Sequence, residues 1–138
     1  MIRFNSLIPE FDLTYPNQLK NWIRMILRNE DHLEGDIIYI FCDDDFLLNT
    51  NMVFLKHDTL TDIITFPTSS SNKVISGEIY ISLPRVKENS KKLNQDFNNE
   101  LSRVLAHGVL HLVGYNDRTE AEKSEMRAKE DYYLNLQL

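Results

Sequence analysis

The chain has 138 residues, 42% of them hydrophobic and 26% charged, with a net charge of −6 and one cysteine, Cys42. That length suits one compact domain, 1–138, able to bury a core without staples. The lone cysteine excludes an internal disulfide framework, and the acidic balance argues against a nucleic-acid binder working by bulk charge, leaving room only for a local basic patch. The opening stretch "MIRFNSLIPEFDL" has no apolar run of signal-peptide length, and no segment nears the roughly 20 apolar residues of a membrane helix. The expectation is a cytoplasmic protein with no membrane partner.

The first predicted helix lies in "PNQLKNWIRMILRNEDHL", where Leu19, Trp22, Ile23, Met25, Ile26 and Leu27 form an apolar stripe and Pro16 stands near its start. Asp36–Cys42, "DIIYIFC", is β-branched and aromatic and predicts a strand. "DDDFLLNTNMVFL" predicts a short helix capped by Asp43 or Asp44. Leu60–Phe66 reads as a second strand stopped by Pro67, and Gly77–Leu83 as a third stopped by Pro84. The stretch between them, Pro67–Gly77, reads as a loop. From Val86 to Val113 the spacing of Leu93, Phe97, Leu101, Val104, Leu105 and Leu112 predicts one long helix, ended by Gly114. Thr119 and Glu122 form a capping box that opens a last helix carrying Met126, Ala128, Tyr132 and Tyr133. The order α, β, α, β, β, α, α predicts an α+β fold of mixed α/β layers, a small mixed sheet covered by helices.

The chemistry concentrates in "LAHGVLHLVGYND", Leu105 to Asp117. His107 and His111 are four residues apart, so on a helix they share a face one turn apart and can aim nitrogens at one ion. A bare H-x-x-x-H pair is a weak signal on its own. Three neighbours strengthen it. Gly108 removes bulk beside the first histidine so that substrate or backbone can approach, although a glycine inside a helix costs on the order of 1 kcal/mol against alanine. Gly114 reverses the chain just after the second histidine. Asp117 then follows, and two nitrogens with one oxygen and an open position are a usual catalytic zinc arrangement. Asp117 is either the third ligand or a turn and cap residue, with Asn116 competing as the turn former. His32 and His57 fall in loop or surface segments and receive no ligand role. In the zinc-protease signature H-E-x-x-H, glutamate occupies the position of Gly108 and serves as base, so the stretch argues against a metalloprotease.

"HGVLHLVGYND" resembles the H-G-x-L-H-L-x-G-Y-D-H signature of the YbeY family, bacterial zinc-dependent endoribonucleases of rRNA maturation. "LTDIITFP", "SGEIYISLPRV" and "NNELSRVLAHG" are similar to further segments of that family, in the same order, over about Leu48 to Met126. The resemblance implies a small sheet covered by helices, with a long central helix carrying both histidines and one Zn²⁺ near its end. It implies His107, His111 and the aligned Asp117 as metal ligands, the family's third ligand usually being histidine. It implies RNA as substrate, an rRNA precursor, with a ribosomal subunit or ribosomal proteins as further partners. The family's upstream arginine aligns with Leu55, beside Lys56.

Without a base on the histidine helix, deprotonation must come from the ion, from substrate or from elsewhere in the chain. Asp62 and Glu78 are the upstream candidates. Glu100 lies two turns before His107 on the same side; it could orient a ligand, and the competing, favoured reading is an exposed glutamate or an ion pair with Arg103. Arg85, Lys87 and Lys91 are the candidate RNA contacts, in a basic patch with Lys73, Lys92 and Arg103; a solvated helix face is the competing reading. The functional alternative to an endoribonuclease is a non-catalytic, metal-stabilised accessory factor of ribosome maturation or RNA binding.

Overall fold

A computed structural model of the chain describes residues 1–54, 61–69 and 71–137. Leu55, Lys56, His57 and Leu60 lie outside these residues. The described elements are β1 (Ile2–Ser6), α1 (Pro16–Asn29), β2 (Leu33–Cys42), α2 (Asp44–Phe54), β3 (Ile63–Pro67), β4 (Val74–Ser82), α3 (Leu83–Lys92), α4 (Phe97–Leu112) and α5 (Glu120–Asn135). The sheet order is β1-β2-β4-β3. β1 and β4 run parallel to β2, and β3 runs antiparallel to β4. This is a mixed four-stranded sheet layered with helices, as the element order predicted.

Alternation along the strands sorts side chains to two faces. On one face Ile37, Tyr39 and Phe41 of β2 join Ile75, Ile79 and Ile81 of β4. They pack beneath the α1 stripe Trp22, Ile23, Ile26 and Leu27 and beneath Leu101, Val104, Leu105 and Val109 of α4. Each such side chain contributes about 1.5–3 kcal/mol by leaving water. The other face carries a smaller cluster, Cys42, Leu47 and Ile64, flanked by Phe66 and Tyr80. Asp43 caps α2 by accepting from the Phe46 amide at 2.8 Å. Among the described residues no helix is long and apolar enough to cross a membrane.

Several differences from the sequence reading have physical causes. Val74–Ser76, read as loop, belong to β4, where Val74 and Ile75 pair with Leu33 and Glu34 of β2. β1 was not expected; five residues carry little pattern, and its order comes from pairing with β2, which buries Ile2 completely. Leu83 and Pro84 open a helix instead of closing a strand, because Ser82 accepts from the Arg85 amide as N-cap and proline suits the first turn. The single helix expected over Val86–Val113 is two helices. α3 ends in a Schellman turn, with Asn94 at φ 53, its amide bonded to the Lys91 carbonyl and that of Gln95 to Ser90. Leu93 consequently faces solvent instead of the core. In α5 the capping box of Thr119 and Glu122 is present. Its buried face, however, is Met126, Glu130 and Tyr133, while Ala128 and Tyr132 are exposed.

Candidate metal centre

His107 and His111 stand on the last turns of α4. That helix also ends in a Schellman turn: Gly114, at φ 114, bonds the His111 carbonyl, and the Tyr115 amide bonds Leu110 at 3.0 Å. The turn folds the chain back over the histidines. Asp117 Oδ2 comes within 3.3 Å of both His107 Nε2 and His111 Nε2. The two Nε2 atoms are 2.9 Å apart. All three ligand atoms lie within 4.8 Å of one another, a group that could hold a metal ion.

The hydrogen bonds behind the rings decide what these atoms can do. His107 Nδ1 lies 2.6 Å from Glu130 Oε2, and His111 Nδ1 lies 3.0 Å from the Tyr115 carbonyl. Burial would raise the Glu130 pKa, but hydrogen bonds from His107 and Arg103 override it and hold the carboxyl below its ordinary value. Glu130 is therefore a carboxylate, an acceptor only, and so is a carbonyl. Each Nδ1 must donate, which leaves both neutral Nε2 atoms with lone pairs facing one another and a third acceptor, Asp117. Three convergent acceptors repel unless a cation or proton lies among them. The separations are close to the about 3.3 Å edge of a tetrahedral zinc site with bonds of about 2.0 Å. Without an ion, burial opposes a charge on His107, but Glu130 outweighs it and the pKa is raised. His111 is lowered, by burial and then by the charge of His107.

Glu130 is one of the site residues that sequence reasoning missed, with Lys123 and Arg127. Its signal was the helical spacing Met126, Glu130, Tyr133, which puts a carboxylate on the buried face of α5. It also accepts from Arg103 Nη1 at 2.9 Å, while Arg103 Nη2 reaches Asp131 at 2.6 Å. Arg103 thus belongs to the support of the centre and not to a free basic patch. Its ion pairs leave Glu100 aside, and Glu100 is buried rather than exposed, which raises its pKa. Orienting partners behind metal-bound histidines typically contribute 10–100-fold in affinity. A Glu130→Gln variant is expected to bind Zn²⁺ about 10–100-fold more weakly than wild type in a competition titration with a chromophoric chelator.

The group opens into a cavity of about 680 Å³, lined also by Asp62, Thr65 and Glu100, with Lys123 and Arg127 reaching it from α5. Asp62 therefore stands where a base could act, and burial raises its pKa. The other sequence candidates stand elsewhere. Glu78 alternates with Ile79 to the opposite face of the sheet, where it accepts from Tyr80 at 3.1 Å, so it cannot serve this cavity. Arg85 is held at 3.0 Å by Asp44, whose other oxygen accepts from Ser82 at 2.6 Å; it ties α2 to α3. Lys87, Lys91 and Lys92 are exposed on α3 and do not line the cavity. Lys73 donates to the Asp31 carbonyl at 2.6 Å. Gly108 admits the sheet and not a substrate: a Cβ there would sit 2.9 Å from Ile79 Cγ2 and 3.0 Å from Ile63 Cδ1.

The family model described as Endoribonuclease YbeY matches residues 8–137. The chain belongs to the YbeY family. Among its YbeY relatives, a protein named Endoribonuclease YbeY from Flavobacterium johnsoniae is 47% identical over 131 residues, covering 95% of this chain and 93% of the relative. One of the same name from Amoebophilus asiaticus is 46% identical over 125 residues, covering 91% and 85%. A solution structure of a protein from Thermotoga maritima superposes with a TM-score of 0.65 at 30% identity, covering 98% of this chain and 87% of that one.

Proposed function

We propose that this YbeY-family chain is a metal-dependent endoribonuclease that hydrolyses RNA phosphodiester bonds, with one Zn²⁺ held by His107, His111 and Asp117. The observation that carries the proposal is the convergence of two lone-pair nitrogens and a carboxylate oxygen at one point. Relatives of nearly half-identical sequence bear the name endoribonuclease, which supports RNA as the substrate. The likeness of the histidine signature to the family's extends the reading to rRNA precursors, ribosomal partners and the cytoplasm.

Two imidazoles and one carboxylate suit zinc, and the carboxylate also admits harder ions. When bound, the ion would supply Lewis acidity toward a phosphoryl oxygen and lower the pKa of water toward about 7. The chain's own residues do the rest. Glu130 and the Tyr115 carbonyl keep each Nδ1 protonated and each Nε2 free to bind. For the proton of the attacking water we propose Asp62 as acceptor, a reading supported by its position on the cavity wall and its burial-raised pKa. Chelation is expected to abolish cleavage of a structured RNA by the purified protein, and added Zn²⁺ to restore it. Cleavage that survives chelation would overturn the reading.

Substrate contact passes to α5. Lys123 and Arg127 are four residues apart, on one helical face, and both line the cavity. They offset a wall that otherwise carries several carboxylates. Alanine at either position is expected to reduce the slope of log affinity against log salt by about 0.7 for single-stranded RNA. Fluorescence anisotropy across a salt series measures this, with bound metal unchanged as the control.

A further inference from the structure

Glu30 is the C-cap residue of α1, remote in sequence from the histidine stretch, yet its carboxylate is nearly enclosed at 10% exposure. It accepts from the Tyr115 hydroxyl at 2.6 Å, from Lys129 Nζ at 3.2 Å and from the Tyr133 hydroxyl. Lys129 also stands 5.5 Å over the Tyr115 ring. Burial would raise the Glu30 pKa, but these three hydrogen bonds and the charge of Lys129 hold it below the ordinary value, so a carboxylate sits at the hub.

Tyr115 is the residue whose carbonyl accepts from His111 Nδ1. Its amide is fixed by Leu110, its hydroxyl by Glu30 and its ring by Lys129. The next residue after Lys129 is Glu130, the acceptor for His107. A clamp between α1 and α5 needs only Tyr133 and Lys129. The Tyr115 arm meets the same cluster through Glu30 and Lys129, and in addition it tethers the residue whose carbonyl lies against the His111 imidazole. We propose that Glu30 is a positioning residue for the metal centre, acting through Tyr115 to fix the tautomer and orientation of His111. This rests on the metal reading given above.

Tyr115→Phe removes only the hydroxyl link, and Glu30→Gln removes the charge of the hub. Two readouts are needed on wild type and both variants: the Zn²⁺ dissociation constant, and the imidazole ¹⁵N–¹H signals of the metal-free protein. Tyr115→Phe is expected to keep a near wild-type thermal midpoint and to weaken Zn²⁺ binding about 10-fold, within the range of orienting partners. The His111 Nδ1–H signal should exchange faster with water, while that of His107 stays as in wild type. Glu30→Gln should move both readouts in the same direction, with a lowered thermal midpoint because its pairing with Lys129 is lost. Unchanged Zn²⁺ affinity and an unchanged His111 signal in Tyr115→Phe would overturn the proposal and leave Glu30 as a structural clamp. If Glu30→Gln does not fold, Tyr115→Phe alone decides. If wild type binds no Zn²⁺, the metal reading fails, and the His111 signal in the metal-free variants still decides for or against the brace.

Discussion

Gly108→Glu is expected to prevent folding, even though it rebuilds the H-E-x-x-H pattern of a zinc protease. The new side chain would not point toward the cavity. Its Cβ would press on Ile79 Cγ2 and Ile63 Cδ1, at 2.9 and 3.0 Å, and its carboxylate would be driven between α4 and the sheet. Overpacking costs about 1–3 kcal/mol, and an unpaired buried charge costs several more. Together these rival the roughly 5–15 kcal/mol net stability of an ordinary domain. Gly108→Ala should be milder. Its helix propensity returns about 1 kcal/mol against the same overpacking, so it folds with a lowered urea midpoint. Circular dichroism with urea titration measures both. A folded glutamate variant with a wild-type midpoint would place residue 108 off the sheet. The consequence is that position 108 cannot carry a base toward the cavity, so the base proposed above, Asp62, is sought on another segment.

The second large effect is expected at Asp117. As a ligand, its replacement by alanine or asparagine removes one of three donors. RNA cleavage should fall by at least about 10²–10³-fold, the equivalent of roughly 3–4 kcal/mol of transition-state stabilisation by the ion. Asparagine separates the two roles left open on sequence alone. A turn or cap residue tolerates Asp→Asn, because both side chains accept from backbone amides; a metal ligand does not. The structure already assigns the turn to Gly114 and the cap to Thr119, leaving Asp117 free to face the imidazoles. Asp117→His, which supplies the third ligand usual in the family signature, should keep metal where asparagine loses it. Single-turnover cleavage with metal content measured on the same samples makes the comparison. Wild-type cleavage by Asp117→Asn would remove Asp117 from the centre.

Much of this was legible in the sequence, and the failures have a pattern. The histidine pair, the reversal at Gly114 and the capping box at Thr119 are local signals, set by spacing within one or two turns, and the structure contains each of them. β1 and the break at Asn94 were not legible. The first depends on pairing with a strand some thirty residues away. The second uses asparagine where glycine is the usual signal, and Leu93 and Phe97 keep a helical spacing across the gap. The support of the metal centre was hidden for the first of these reasons. Glu130 reaches His107 from another helix, and Glu30 reaches Tyr115 across 85 residues. The placement of charged residues was not legible either: Arg85 is paired with Asp44 away from the cavity, and strand alternation turns Glu78 to the far face of the sheet.

If His107, His111 and Asp117 hold one ion together, as proposed, removing any one of them must release it. Elemental analysis of purified wild type beside His107→Ala, His111→Ala and Asp117→Ala, each checked for folding, tests this most directly. Wild type should carry one zinc ion per chain, and every variant should lose nearly all of it. Unchanged metal content in all three would contradict the proposal.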